Sequence, residues 1–280
     1  MPMKFSFSSL GDPKKPLEDF VKLLAAEGYD AIELRGRPGA HVHWEDGPER
    51  RKEVRGILED AGMQAASVST YVFTANRDSG GPDKPDTRNE QENIEELKRW
   101  VELASDLGAA NIRVFGGALT EGETHDDALP RVARIMDAAA DVNPKVNVCL
   151  EMHDVWNTGE IVGRVLGATN HPNCKALLDL HGPQRAGEAP EVTLRHVPPV
   201  QIAYLHVKDS FTLPDGTAYQ CLIGAGETPI RKTVHLLRDA GWSGYLNVEW
   251  EGVYHDYMPP VEVAIPQAIR KLREMVQEEA

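Results

Sequence analysis

Short β-rich runs and longer amphipathic runs alternate along this chain with a regularity that few folds accommodate. The β-like runs are residues 4–8, 31–34, 65–70, 111–115, 146–152, 176–180, 201–207 and 245–250. Between them, apolar residues recur at helical spacing over residues 16–27, 48–61, 89–107, 126–140, 158–166, 230–240 and 261–277. Phe20, Leu23 and Leu24 mark one such face, and Ile94, Leu97, Val101 and Leu107 another. Gly28, Gly62, Gly108 and Gly241 stand where these helices should stop. The unit before residue 201 is looser and carries Pro198-Pro199.

Strands alternating with helices imply a parallel sheet with crossover helices. No glycine-rich phosphate loop follows the first strand, as an open doubly wound sheet would lead one to look for. A closed barrel of eight βα units needs roughly 250 residues. The 280 residues supply that, so the expectation is a (β/α)8 TIM barrel, a single domain over residues 1–280. Residues 71–87, rich in Gly, Pro and Asp, read as a long loop, a candidate lid. Residues 210–226 read as a second loop.

Catalytic groups in such a barrel stand at the C-terminal ends of the strands. The last four strands end alike. N-V-C-L-E-M-H delivers Glu151 and His153, and A-L-L-D-L-H-G delivers Asp179 and His181. A-Y-L-H-V-K-D delivers His206 and Lys208, and Y-L-N-V-E-W-E delivers Glu249 and Glu251. A charge at the end of an apolar strand is costly unless paired, and three converging carboxylates repel. One divalent cation resolves both problems. An O3N donor set of two Glu, one Asp and one His suits Mn2+, with Mg2+, Co2+ or Zn2+ as alternatives. Residues two apart on a strand share a face. The deeper residues Glu151, Asp179, His206 and Glu249 are therefore assigned to the metal. The shallower His153, His181 and Lys208 are assigned to substrate, although Lys208 and Asp209 also read as a rim ion pair. Trp250, with Trp156, Tyr71 and Phe115, is a candidate to stack on a carbon skeleton.

Net charge is −14, from 30 basic and 44 acidic residues, which argues against a nucleic-acid partner. No run is apolar and long enough for a membrane span, and Cys149, Cys174 and Cys221 are odd in number with no C-x-x-C. These features point to a cytoplasmic, soluble protein with a small-molecule partner.

The chain resembles the xylose isomerase-like TIM barrel superfamily, the sugar phosphate isomerase/epimerase group. The resemblance rests on G-Y-D-A-I-E-L (residues 28–34), R-V-F-G-G (113–117), L-E-M-H (150–153), L-L-D-L-H (177–181), H-V-K-D (206–209), G-A-G-E (224–227) and G-W-S-G-Y-L-N-V-E (241–249). It implies metal ligands at Glu151, Asp179, His206 and Glu249, and a dimer or tetramer. In the ketose 3-epimerase branch the two metal-binding glutamates also act as acid and base, here Glu151 and Glu249. The sequence departs from that branch in two places. His181 follows Asp179 by two residues rather than three, and Lys208 stands where an arginine is usual after strand seven.

The expected function is that of a sugar isomerase or epimerase. It would act on a ketose or polyol-derived ketone by proton transfer through a metal-bound enediolate. A dehydratase or lyase resembling inosose or dehydroshikimate dehydratase is the alternative. An endonuclease IV-like phosphodiesterase is a more distant one and would draw extra zinc ligands from Glu33, His41 and His43. A metal-free sugar-binding barrel completes the set.

Overall fold

The computed structural model describes residues 2–76 and 90–278. Ten strands occur among them: β1 (Lys4–Ser8), β2 (Ala31–Arg35), β3 (Gln64–Asn76), β4 (Asn111–Gly117), β5 (Asn147–Glu151), β6 (Cys174–Asp179), β7 (Ile202–Val207), β8 (Asp209–Thr212), β9 (Ala218–Cys221) and β10 (Tyr245–Val248). Eight of these close into a parallel barrel in the order β1-β10-β7-β6-β5-β4-β3-β2. The helices are α1 (Leu17–Glu27), α2 (Pro48–Asp60), α3 (Glu90–Leu107), α4 (His125–Ala140), α5 (Gly159–Ala168), α6 (His181–Arg185), α7 (Pro190–His196), α8 (Ile230–Asp239) and α9 (Val261–Gln277). The fold is a TIM barrel.

Local chemistry sets the boundaries. Helix α1 buries Leu17, Phe20, Val21 and Leu24 on one stripe and ends at Gly28, whose φ of 79° a side chain would strain. Helix α4 opens with a reciprocal capping box between Thr124 and Asp127. Strand alternation then sorts the core into two compartments. Phe7, Ile32, Leu34 and Ile112 face outward toward Phe20, Trp100 and the other apolar helix residues. Inside the barrel, Ala31, Ala66, Cys149, Leu177, Tyr204 and Tyr245 form a separate apolar plug. Two residues further along their strands from Ala31, Cys149, Leu177, Tyr204 and Tyr245 come Glu33, Glu151, Asp179, His206 and Asn247, so the polar layer sits directly on the plug.

Three expectations change. Strand β3 does not stop at Thr70; it continues to Asn76 and pairs Phe73 with Phe115 and Asn76 with Gly117 of β4. The aromatic and β-branched run Tyr71-Val72-Phe73-Thr74 favours extended backbone, and this outweighed the turn-forming residues that follow. The rest of the expected lid, from residue 77 on, lies outside the described residues. The supposed loop 210–226 contains an antiparallel hairpin, β8–β9, turning at Pro214-Asp215-Gly216. The loose unit before β7 holds two short helices, α6 and α7. Among the described residues, no helix is long and apolar enough to cross a membrane.

Candidate metal centre

Strand register fixes the level of the site. Asp179 of β6 lies beside His206 of β7, His206 beside Asn247 of β10, and Asn247 beside Ser6 of β1. Glu151 ends β5 and Glu249 directly follows β10. One ligand atom from each of Glu151, Asp179, His206 and Glu249 falls within 4.8 Å of all the others, and all four residues are buried. The four deeper residues singled out from the sequence therefore converge.

Their surroundings are more charged than the strand ends alone indicate. His206 is wholly buried, with Nε2 2.9 Å from Glu33 Oε2, and Nδ1 3.0 Å from Glu151 Oε1 and 3.2 Å from Glu249 Oε2. Burial alone would lower its pKa; Glu249, Glu33 and Glu151 outweigh burial and raise it well above 6.5. Arg113 of β4 places Nη1 3.3 Å from Glu151 Oε2 and 3.7 Å from Glu249 Oε1, while Nε and Nη2 donate to the Thr70 carbonyl. Lys208 Nζ lies 2.8 Å from Asp179, 2.6 Å from Glu249 and 3.1 Å from Glu251. Burial opposes the charge on Lys208, but Asp179 and Glu249 prevail and raise its pKa. Burial likewise opposes ionisation of Glu249; His206, Lys208 and Arg113 reverse this and hold it well below the usual carboxylate range. Glu151 is also lowered despite burial, through Arg113 and His206.

Three observations fit a divalent cation. Five carboxylates (Glu33, Glu151, Asp179, Glu249 and Glu251) surround Arg113, Lys208 and the protonated His206, which leaves two negative charges uncompensated. Glu151 Oε2 is buried and accepts no hydrogen bond. The 3.0 and 3.2 Å separations at His206 Nδ1 match the spacing of neighbouring ligand atoms around a cation with bonds of ~2.1 Å, about 3.0 Å at right angles.

Above this centre opens a cavity of about 820 Å³ lined by His153, Asp179, His181, Lys208, Gln220 and Glu251, among others. The expected shallow residues are thus at its wall. His153 packs against Asp154, and His181 Nε2 meets the Ser210 hydroxyl at 2.6 Å. Lys208 reaches deeper than expected, onto the ligand carboxylates themselves. Its neighbour Asp209 pairs elsewhere: its carboxylate accepts the amides of Ser210, Gly224, Gly226 and Thr228 and pins the G-A-G-E turn. The rim ion pair does not form. Trp250 is 3% exposed and donates to the Pro259 carbonyl, so it packs the wall rather than facing the cavity. Trp156 is equally buried, donates to the Gly117 carbonyl, and lies where a Cβ on Gly116 would collide with it.

A model of the xylose isomerase-like TIM barrel matches residues 21–275. The chain belongs to this family. A curated relative, 2-epi-5-epi-valiolone 7-phosphate 2-epimerase from Actinoplanes sp., is 25% identical over 219 residues, covering 78% of this chain and 76% of the relative. Among solved structures, the IOLI protein with a bound zinc atom superposes with a TM-score of 0.76 at 19% identity over 98% of both chains. The probable 3-DHS dehydratase AsbF of Bacillus anthracis gives 0.74 at 19% identity, over 97% of this chain and 99% of its own. At these identities the structural likeness concerns the fold.

Within this xylose isomerase-like barrel, two site residues escaped the strand-end reading. Glu33 stands inside G-Y-D-A-I-E-L and Arg113 inside R-V-F-G-G, neither at the end of its strand. Each is a charge flanked by apolar residues, I-E-L and I-R-V, a signal close to the one that marked the other four. Glu33 also accepts from Asn247, which accepts from Ser6. His41 instead bonds the Lys15 carbonyl, and His43 packs on Trp44 and Trp100. Among the described residues, only one group of His, Cys, Asp or Glu converges as metal ligands do.

Proposed function

We propose that this protein is a divalent-metal-dependent enzyme that moves a proton at the carbon beside the carbonyl of a small polyhydroxylated ketone, a sugar or a polyol-derived substrate. The observation that carries this reading is the buried cluster of Glu151, Asp179, His206 and Glu249 at the floor of a polar cavity. Those four residues would hold the ion, with Mn2+ the first candidate. The ion would supply Lewis-acid polarisation of the carbonyl and so acidify the neighbouring C–H bond.

The remaining work falls to the chain. Glu151 Oε2 accepts no hydrogen bond and is the oxygen placed to take the proton. Arg113, 3.3 Å away, keeps Glu151 ionised beforehand and stabilises the site's negative charge. Lys208 anchors Asp179, Glu249 and Glu251, and its positive charge lies at the cavity wall, where it attracts substrate oxygens. His181, held by Ser210, supplies a second polar contact. Isomerisation or epimerisation returns the proton to carbon.

A second reading, dehydration, is favoured by one observation. Lys208 is a buried ammonium lining the cavity, and its positive charge would stabilise the oxygen of a departing β-hydroxyl while solvent supplies the proton. The test is incubation of the Mn2+-loaded protein with a panel of ketoses and inososes in D2O. Solvent deuterium in an isomeric product supports proton return, and loss of water supports dehydration. Failure of the protein to bind one Mn2+ per chain, or unchanged binding in Glu249→Gln, overturns the metal-dependent reading.

A further inference from the structure

One buried charge takes no part in the centre described above. Arg35 ends β2, two residues beyond Glu33 and on the same face of the strand. It is 6% exposed, yet among the described residues its guanidinium meets no carboxylate. Its partners are phenol hydroxyls: Nε donates to Tyr71 Oη at 2.8 Å, and Nη2 donates to Tyr254 Oη at 2.7 Å. Burial pushes the Tyr254 phenol up to about 12, so it offers lone pairs and no charge. A buried cation normally has an anionic partner, because desolvation is otherwise uncompensated.

The surroundings add charge of the same sign. The Tyr71 ring has three guanidinium groups about it: Arg35 at 5.4 Å, Arg37 at 5.5 Å and Arg113 at 5.1 Å from its centroid. Arg113 is neutralised by Glu151 and Glu249, whereas Arg37 is exposed and, like Arg35, pairs with no carboxylate among the described residues. In a chain with net charge −14, two arginines that share the Tyr71 ring with Arg113 of the acidic centre form a local reversal of field. Planar guanidinium groups are suited to phosphate and carboxylate oxygens.

We propose that Arg35 and Arg37, with the hydroxyls of Tyr71 and Tyr254, bind a fixed negative charge on the substrate, a phosphate ester or a carboxylate. Two residues along a strand rise about 6.6 Å, so the anion lies roughly that far above the level of Glu33. That spacing suits a charged group several bonds from the carbons that react. The inference rests on the proposed chemistry for the rest of the substrate, but the subsite is testable without it.

The probes are inorganic phosphate and acetate, titrated calorimetrically at constant ionic strength into Mn2+-loaded and chelator-treated protein. At least one anion is expected to bind both forms, phosphate indicating an ester and acetate a carboxylate. Arg35→Met should weaken that binding at least about tenfold, and Arg37→Ala more modestly, since truncating a charged partner is costly. Mn2+ binding should be unchanged in both variants, which also reports that they fold; should Arg35→Met not fold, the exposed Arg37→Ala and the uncharged Tyr254→Phe carry the comparison. Binding of neither anion, binding indifferent to these substitutions, or binding only when Mn2+ is present overturns the subsite. Failure to bind Mn2+ with an intact, arginine-dependent anion site would instead sink the metal-dependent reading and leave the subsite standing.

Discussion

Glu33 offers the sharpest test of how the centre is built. An imidazole that ligates through Nδ1 carries its proton on Nε2, and Nε2 of His206 lies 2.9 Å from Glu33 Oε2 in a wholly buried setting. Outer partners of this kind fix the tautomer and raise ligand basicity, and their loss typically costs 10–100-fold in metal affinity. In Glu33→Gln the amide oxygen can still accept from Nε2, but its NH2 then faces Nδ2 of Asn247, which donates to Glu33 Oε1 at 3.1 Å. A flip of the Asn247 amide resolves this, because Nδ2 can then donate to the Ser6 hydroxyl, which lies 2.8 Å from Oδ1. The hydrogen bonds therefore survive while the charge is lost. We expect Glu33→Gln to weaken Mn2+ binding by about 10–100-fold, or roughly 1.4–2.7 kcal/mol, with apo stability changed by less than about 1 kcal/mol. Glu33→Ala should lose similar affinity and also about 1–3 kcal/mol of stability, since two buried donors lose their acceptor. Calorimetric Mn2+ titration and thermal melting separate the two quantities. Mn2+ affinity within twofold of wild type in Glu33→Gln, with the protein folded, would refute the claim that Glu33 tunes the ligand.

Three further outcomes follow from the geometry. Lys208→Met should abolish solvent exchange into substrate without weakening Mn2+ binding, because it removes a cation that competes for Asp179 and Glu249; weaker Mn2+ binding would count against this. Asp209→Ala should lower stability by about 3 kcal/mol, seen in denaturant melts, since four backbone amides lose their acceptor, while Mn2+ affinity holds. Chelation should lower the melting temperature, and Mn2+ at a hundredfold excess over Kd should restore about 2.7 kcal/mol.

The barrel was legible because its two periodicities are strong and non-local packing reinforces them: every parallel strand buried on both faces reads as an apolar run. The candidate metal cluster was legible for the complementary reason, since a charge at the end of such a run needs a partner. What stayed hidden was pairing. Nothing in H-V-K-D says that Lys208 turns to Asp179 on β6 while Asp209 turns to the G-A-G-E turn, because both choices depend on chain segments far apart in sequence. Glu33 and Arg113 were visible as charges in apolar strands, yet their partners lie across the barrel lumen, a relation only closure creates. Two of the aromatic candidates went elsewhere for a different reason: Trp156 and Trp250 have indole donors that found backbone carbonyls.

The two glutamates, equivalent in the sequence, are unequal in the structure, and under the proposed chemistry this makes Glu151 the base. Glu249 Oε2 lies 2.6 Å from Lys208 and 3.2 Å from His206, and those neighbours hold its carboxyl well below the usual range despite burial. A carboxylate so tightly engaged is a good ligand and a poor base. Glu151 commits Oε1 to His206 but leaves Oε2 with no hydrogen bond, 3.3 Å from Arg113. General-base catalysis contributes about 10²–10⁴-fold, so Glu151→Gln should lose exchange by that factor. Its Mn2+ affinity should fall less than that of Glu249→Gln, which leaves Lys208 facing one fewer carboxylate in the centre. Exchange of substrate hydrogen with D2O, measured at saturating Mn2+ in each variant, isolates the base from the ligand. Equal residual exchange in the two variants at saturating metal would mean that the protons are shared evenly, and the asymmetry drawn from Lys208 would fall.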